Sequence, residues 1–184
     1  MMYFLGLIIV TALLAFIFVG IYNRMIRMRN LVDEGWSGID VQLKRRSNLV
    51  INIVETVKGY ASHEKEVFSR VTEARSRVAQ AGTVEERASA ENVLTGALKT
   101  LFAVAENYPE LKANQNFLQL QQTLSDLENE IQMARRYYNG SVRDYNNTIQ
   151  VFPNSIIASM FNFDRREYFE AEEEAREVPR VSFQ

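Results

Sequence analysis

Hydrophobic positions along this chain fall into two regimes. The first is a continuous run: no residue from Tyr3 to Tyr22 carries a charge. As a helix rising ~1.5 Å per residue it is ~30 Å long, the thickness of a bilayer's hydrocarbon core. Tyr3 and Tyr22 mark its ends, where interfacial aromatics sit, with Leu7, Ile9, Leu14 and Phe18 between them. A cleaved secretory signal needs a basic leading region and a small-residue cleavage site. Only Met1 and Met2 precede the run and no A-x-A site follows it, so residues 1–22 read as an uncleaved transmembrane anchor. Arg24, Arg27 and Arg29 follow at once. By the positive-inside rule they put the C-terminal side in the cytoplasm and the N-terminus outside.

The second regime is periodic. From Val32 through Trp36, Ile39, Leu43, Arg46, Val50, Ile53, Val57 and on to Val78, stripe positions alternate steps of four and three, and only Arg46 and Glu64 break the apolar character. This predicts one long helix with a heptad-type seam, about 24–81, ending at Gly82 and continuing out of the membrane helix. Gly35 and Gly38 each weaken a helix by ~1 kcal/mol relative to Ala and mark its expected bend. Thr83-Val84-Glu85-Glu86 has the spacing of a capping box and opens a second helix, about 84–107. Tyr108-Pro109 interrupts it. A third seam from Phe117 to Phe152 predicts a helix over 114–152, and a short helix over 154–161 follows Pro153. An up-down-up closure requires residues 107–116 to carry the chain back toward the membrane with at most one helical turn. The expected fold is all-α: a transmembrane helix continuing into an antiparallel bundle, 23–163, of three long helices and a short C-terminal one. Residues 164–184 hold seven acidic residues and four arginines, and read as a solvated acidic tail unless Phe163, Tyr168 and Phe169 dock it.

Composition narrows the function more than the fold. Among 184 residues there are no cysteines and one histidine, and the formal net charge is −2. That excludes disulfides, thiolate sites and a Cys nucleophile, leaves no His-based metal site within one chain, and argues against nucleic acid. Hydrophobic residues make up 47% of the chain, yet its mean hydropathy is only −0.20, because the apolar run is balanced by charged helix faces. His63-Glu64 begins like a zincin motif, but after Lys65 and Glu66 the position that needs the second His holds Val67. A di-iron bundle needs Glu-x-x-His twice. No phosphate loop or hydrolase elbow is present. The expectation is no catalytic residue, no cofactor, no metal and no small-molecule substrate.

Two features invite an interaction reading. Uncovered seam on the first helix would expose Trp36, Ile39 and Leu43, with Arg46 beside them, for burial by another copy or a partner. Arg46 itself should pair with a carboxylate or snorkel out. Tyr138-Asn139 and Tyr145-Asn146 lie seven apart and share a helix face. Their side chains either hydrogen-bond across helices to fix register or form an association surface.

Several segments resemble the LemA family: Tyr22-Asn23, Trp36-Ser37-Gly38-Ile39-Asp40-Val41-Gln42-Leu43, Val54-Glu55-Thr56-Val57-Lys58-Gly59-Tyr60, Tyr108-Pro109-Glu110-Leu111, the two Tyr-Asn pairs, Phe152-Pro153 and Tyr168-Phe169. One departure is Ile51, where the family often has proline. The resemblance implies a bacterial protein of the cytoplasmic membrane, single-pass, with a cytoplasmic helical bundle and no established enzymatic activity. Some members are linked with magnetosome membrane formation and others occur alongside membrane metalloproteases. The function expected is a non-enzymatic scaffold that contacts membrane lipid, forms homo-oligomers and organises or remodels membrane. The alternative is an adaptor or regulator of another membrane protein such as a metalloprotease.

Overall fold

A computed structural model describes residues 1–169. Among the described residues the elements are α1 (Met2–Lys58), α2 (Lys65–Gln80), α3 (Val84–Ala105), α4 (Pro109–Lys112), α5 (Gln115–Gln150) and α6 (Asn154–Met160), with no strand. The fold is all-α, as the periodicity implied. Residues 170–184, most of the expected acidic tail, lie outside the described residues.

α1 runs unbroken for 57 residues from the apolar run through both Gly35 and Gly38. It does not, however, continue to residue 81. It stops at Lys58, where the N–H groups of Tyr60 and Ala61 both turn onto the Val57 carbonyl at 3.0 and 2.9 Å. α2 then folds back: the Arg75 guanidinium donates to the Ser47 hydroxyl at 2.9 Å, and the Lys58 ammonium lies 5.9 Å from the Phe68 ring centre. The connecting residues 59–64 span nearly two helical turns' worth of sequence. The apolar period therefore passes through the reversal in phase, which is why periodicity alone reads one helix where there are two.

The described chain divides into two compact units, and α1 and α5 each contribute to both. The unit built on residues 40–133 is a four-helix arrangement. α3 runs parallel to α1, since Arg87 bonds Asp40 at 2.7 Å and Arg46 reaches Thr95 at 2.8 Å. α5 runs antiparallel, with Asn114 donating to the Tyr60 hydroxyl at 2.8 Å and Arg45 pairing with Glu130 at 3.1 Å. The core between them includes Val50, Ile53, Val57, Val71, Leu94, Leu98, Leu101, Leu111 and Phe117. The capping box at α3 forms as its sequence spacing demands. Thr83 Oγ1 accepts from the Glu86 N–H at 3.1 Å, and Glu86 accepts from the N–H groups of Gly82 and Thr83 at 2.9 and 3.1 Å. The connector 107–116 holds one helical turn, α4, but it does not carry the chain back along α1 as expected. Asn114 sits against Tyr60, beyond the distal end of α1. The reversal at residue 59 has already turned the chain once, so α3 again runs parallel to α1 and α5 antiparallel to it.

The second unit comprises residues 1–39 and 134–167. Here α5 runs antiparallel to α1, close enough that a Cβ added to buried Gly35 would lie 3.1 Å from the Tyr138 Cα. Met25, Val32 and Ile39 of α1 are buried, as are Tyr138, Val142, Tyr145 and Ile149 of α5 and Ile157 and Ala158 of α6. α5 ends at Gln150, and the Asn154 amide holds the Thr148 carbonyl at 2.9 Å across the elbow into α6. Asn162 takes a left-handed turn (φ 53°), and the chain leaves as an extended strap from Phe163.

Candidate functional site

The apolar run stands apart from packing. Tyr3, Leu7, Ile9 and Leu14 are exposed, with Leu7 at 63%, and the most apolar stretch of α1 has no part buried within the protein. Phe18 and Tyr22 are half-buried, because the Phe161 ring packs on them at 5.9 and 4.9 Å between centres. Arg24 and Arg27 are exposed, while Arg29 lies over the Phe163 ring at 5.5 Å, a cation–π contact. One helix thus joins a bare apolar segment, a ring of arginines and a folded body.

Three of the four residues in the Tyr-Asn pairs, Tyr138, Tyr145 and Asn146, hydrogen-bond to the strap. Tyr138 donates to the Glu167 carbonyl at 2.8 Å and Tyr145 to the Asp164 carbonyl at 2.9 Å. Asn146 bonds the Arg166 backbone twice, its amide nitrogen to the carbonyl and its oxygen to the N–H, both at 2.9 Å. A side-chain amide here imitates the edge of a β-ladder, giving the extended strap the partners its backbone needs. Arg166 adds an ion pair to Asp33 at 3.3 Å, and Trp36 packs on Tyr138 at 5.8 Å between ring centres. Asn139 is half-buried on the same helix. Burial raises the Tyr138 phenol above its ordinary pKa, Arg166 counteracts this, and the Glu167 and Asp33 carboxylates reinforce it. Burial likewise raises Tyr145. Both phenols therefore stay protonated as donors, the role the strap requires of them.

This corrects two expectations. Asp164 to Glu167 keep their side chains exposed but are bonded through their backbone, so the docked alternative holds for this stretch, with Phe163 and Phe169 buried and Tyr168 exposed. The expected association stripe is also consumed within the chain: Ile39 is 0% exposed, and Leu43, Arg46, Tyr138, Tyr145 and Asn146 are buried, leaving Trp36 and Asn139 half-buried.

Arg46, the break in the stripe, is buried and paired. It bonds Glu91, itself buried, Glu128 at 2.7 Å and Thr95 at 2.8 Å. Two carboxylates and a hydroxyl meet one guanidinium, as a buried charge demands. Nearby, a hydrogen bond from Lys44 holds the Asp40 carboxyl below its usual range against the opposing effect of burial, and Arg87 assists. The sequence gives no signal for Glu91 or Glu128 as partners beyond the charge on the stripe that they must neutralise. His63 is exposed, and among the described residues no group of three His, Asp or Glu side chains could hold a metal.

An all-α body joined in one helix to an apolar segment of bilayer length defines a class: helical proteins equipped for membrane attachment. Within that class the chain belongs to the LemA family, whose model matches residues 35–183. It is similar to Protein LemA of Metamycoplasma hominis, 28% identical over 93% of this chain and 78% of that protein. It is also similar to Magnetosome protein MamQ of Magnetospirillum gryphiswaldense, 27% identical over 88% of this chain and 68% of the relative. Magnetosome protein MamQ 2 of Paramagnetospirillum magneticum matches at 26% identity over the same shares.

Proposed function

We propose that this protein is a non-enzymatic, single-pass membrane scaffold that self-associates and thereby organises membrane. The observation that carries the reading is the apolar run of bilayer length in α1, bare through Ile17 and continuous with the helix of the folded body. The arginines at 24, 27 and 29 support an orientation with the body in the cytoplasm and the N-terminus outside, in the cytoplasmic membrane of a bacterium. The buried Arg46 guanidinium, held by Glu91 and Glu128, favours a structural over a catalytic use of the body. Relatives named as magnetosome proteins support the reading as well, since such a name attaches to a structure and not to a reaction.

With Ile39 and Leu43 buried, association falls to the apolar segment itself, where van der Waals packing between helices in lipid can join copies. The chain has no cysteine, so single-Cys variants carry no background. In native membranes, oxidation of variants at successive positions from Leu7 to Leu14 should give crosslinked dimers and larger species on one helical face, and none from buried Ile39. A single copy per particle in native-membrane nanodiscs, with no crosslink anywhere on the segment, overturns self-association. A stoichiometric heterologous protein in those particles would instead assign an adaptor role.

A further inference from the structure

The elbow between α5 and α6 presents an apolar surface that the fold does not use. Phe152 is 81% exposed, Met160 65%, Ile156 55% and Val151 52%, while the opposite side of α6 is buried through Ile157 and Ala158. Residues 145–163 contain no Asp, Glu, Lys, Arg or His, an uncharged stretch second only to the apolar run itself. An exposed apolar patch on an uncharged elbow calls for a covering partner.

Its level along α1 identifies that partner. Tyr138 packs opposite Gly35, and α5 runs a further twelve residues to Gln150, ~18 Å of helix. The same distance back along antiparallel α1 ends at Asn23, next to the last residue of the apolar run. The elbow continues past that point, and the Phe161 ring touches both Phe18 and Tyr22. If Tyr3–Tyr22 fills the hydrocarbon core, Phe161 lies within its outermost ~6 Å, the four helical steps from Phe18 to Tyr22. Helices resting in the interface bury their apolar face ~5–10 Å deep.

We propose that the α5–α6 elbow is a second membrane contact, with Phe152, Ile156, Met160 and Phe161 seated in the lipid interface beside the anchor. This rests on the anchoring of α1 proposed above. The consequence is orientation: a lone helix is free to tilt and rotate, whereas a helix with an embedded elbow on one side holds one face toward the bilayer.

The test uses the full chain in vesicles of phosphatidylcholine and phosphatidylglycerol, with a nitroxide on single cysteines replacing Ile156, Met160, Leu13 or Glu73. Leu13 reports the anchor, and exposed Glu73 reports water. Collision with oxygen, which concentrates in lipid, is compared with collision with a water-soluble nickel chelate. The proposal expects oxygen-to-chelate ratios at 156 and 160 several-fold above that at 73 and approaching that at 13. Ratios at 156 and 160 equal to that at 73, with Leu13 still lipid-like, overturn the elbow contact and leave the anchor standing. Low collision with both reagents, with dipolar broadening between labels, assigns the patch to a second copy and also overturns it. A water-like Leu13 overturns the anchor, and the elbow proposal with it.

Discussion

Replacing Asn146 by alanine removes two hydrogen bonds to the strap from Asp164 to Glu167 and leaves those from Tyr138 and Tyr145. Asn146 is 2% exposed, and both of its bonds go to the backbone of one residue, Arg166. A neutral hydrogen bond contributes ~1 kcal/mol net, so the pair is worth ~2 kcal/mol. The loss is not larger, because Arg166 is exposed and its freed backbone groups can take water once the strap lifts. The Asp33 ion pair that remains is open to solvent and offsets little. Strap opening should therefore become roughly 30-fold more frequent, since ~1.4 kcal/mol is a factor of ten. Hydrogen exchange read by mass spectrometry on a peptide covering 163–169 of the full chain in micelles measures this directly. Tyr145→Phe, which deletes one bond, should accelerate the same peptide by roughly fivefold. Unchanged exchange over 163–169 in the Asn146 variant would refute the reasoning. Acceleration spread evenly over α2 and α3 would refute it equally, because the ladder would then be supporting the body and not the strap.

Other outcomes follow from single contacts. Gly38→Ala meets no atom within 4 Å and should stabilise by ~1 kcal/mol through helix propensity, whereas Gly35→Ala, whose Cβ meets the Tyr138 backbone at 3.1 Å, should destabilise by ~1 kcal/mol, so thermal melts of the two must shift in opposite directions. Glu91→Ala leaves Arg46 buried with Glu128 as its remaining carboxylate and should cost ~3 kcal/mol in denaturant unfolding, while Glu130→Ala, which opens an exposed pair, should cost under ~1 kcal/mol. Hydrogen bonds from the Gly82 and Thr83 N–H groups hold the Glu86 carboxyl below the ordinary range. Its stabilising effect is therefore present above the unfolded carboxylate pKa and is lost as pH falls through the lower folded value. Glu86→Gln should flatten the acid limb of a stability-versus-pH curve and leave the neutral plateau's pH dependence unchanged.

Some of this architecture was legible in the residues and some was not, for physical reasons. The apolar run, the capping box at Thr83, the end of α5 before Pro153 and the single turn at Pro109 are local, and local chemistry determines them. The reversal at Gly59 was hidden because its connector keeps the seam in phase between Val57 and Val71. A seam that stays in phase through the turn reads as one helix where the structure has α1 and α2. Arg46 on the stripe did announce a buried charge, but Glu91 and Glu128 lie 45 and 82 residues away along the chain, and no local pattern names such partners. The Tyr-Asn pairs were visible as a repeated face. Their partner was not, since an extended strap offers only backbone groups, which every sequence has.

The central claim is a body fixed to a membrane by α1, and the sidedness of that arrangement is the most direct test of it. Single cysteines at Tyr3 and at Glu73, both exposed, would be challenged with a membrane-impermeant maleimide in intact cells and after permeabilisation, beside extraction of the membranes with alkaline carbonate. The account predicts that the protein stays in the carbonate pellet, that position 3 labels in intact cells, and that position 73 labels only after permeabilisation. Release of the protein into the carbonate supernatant, or labelling of position 73 in intact cells, would contradict it.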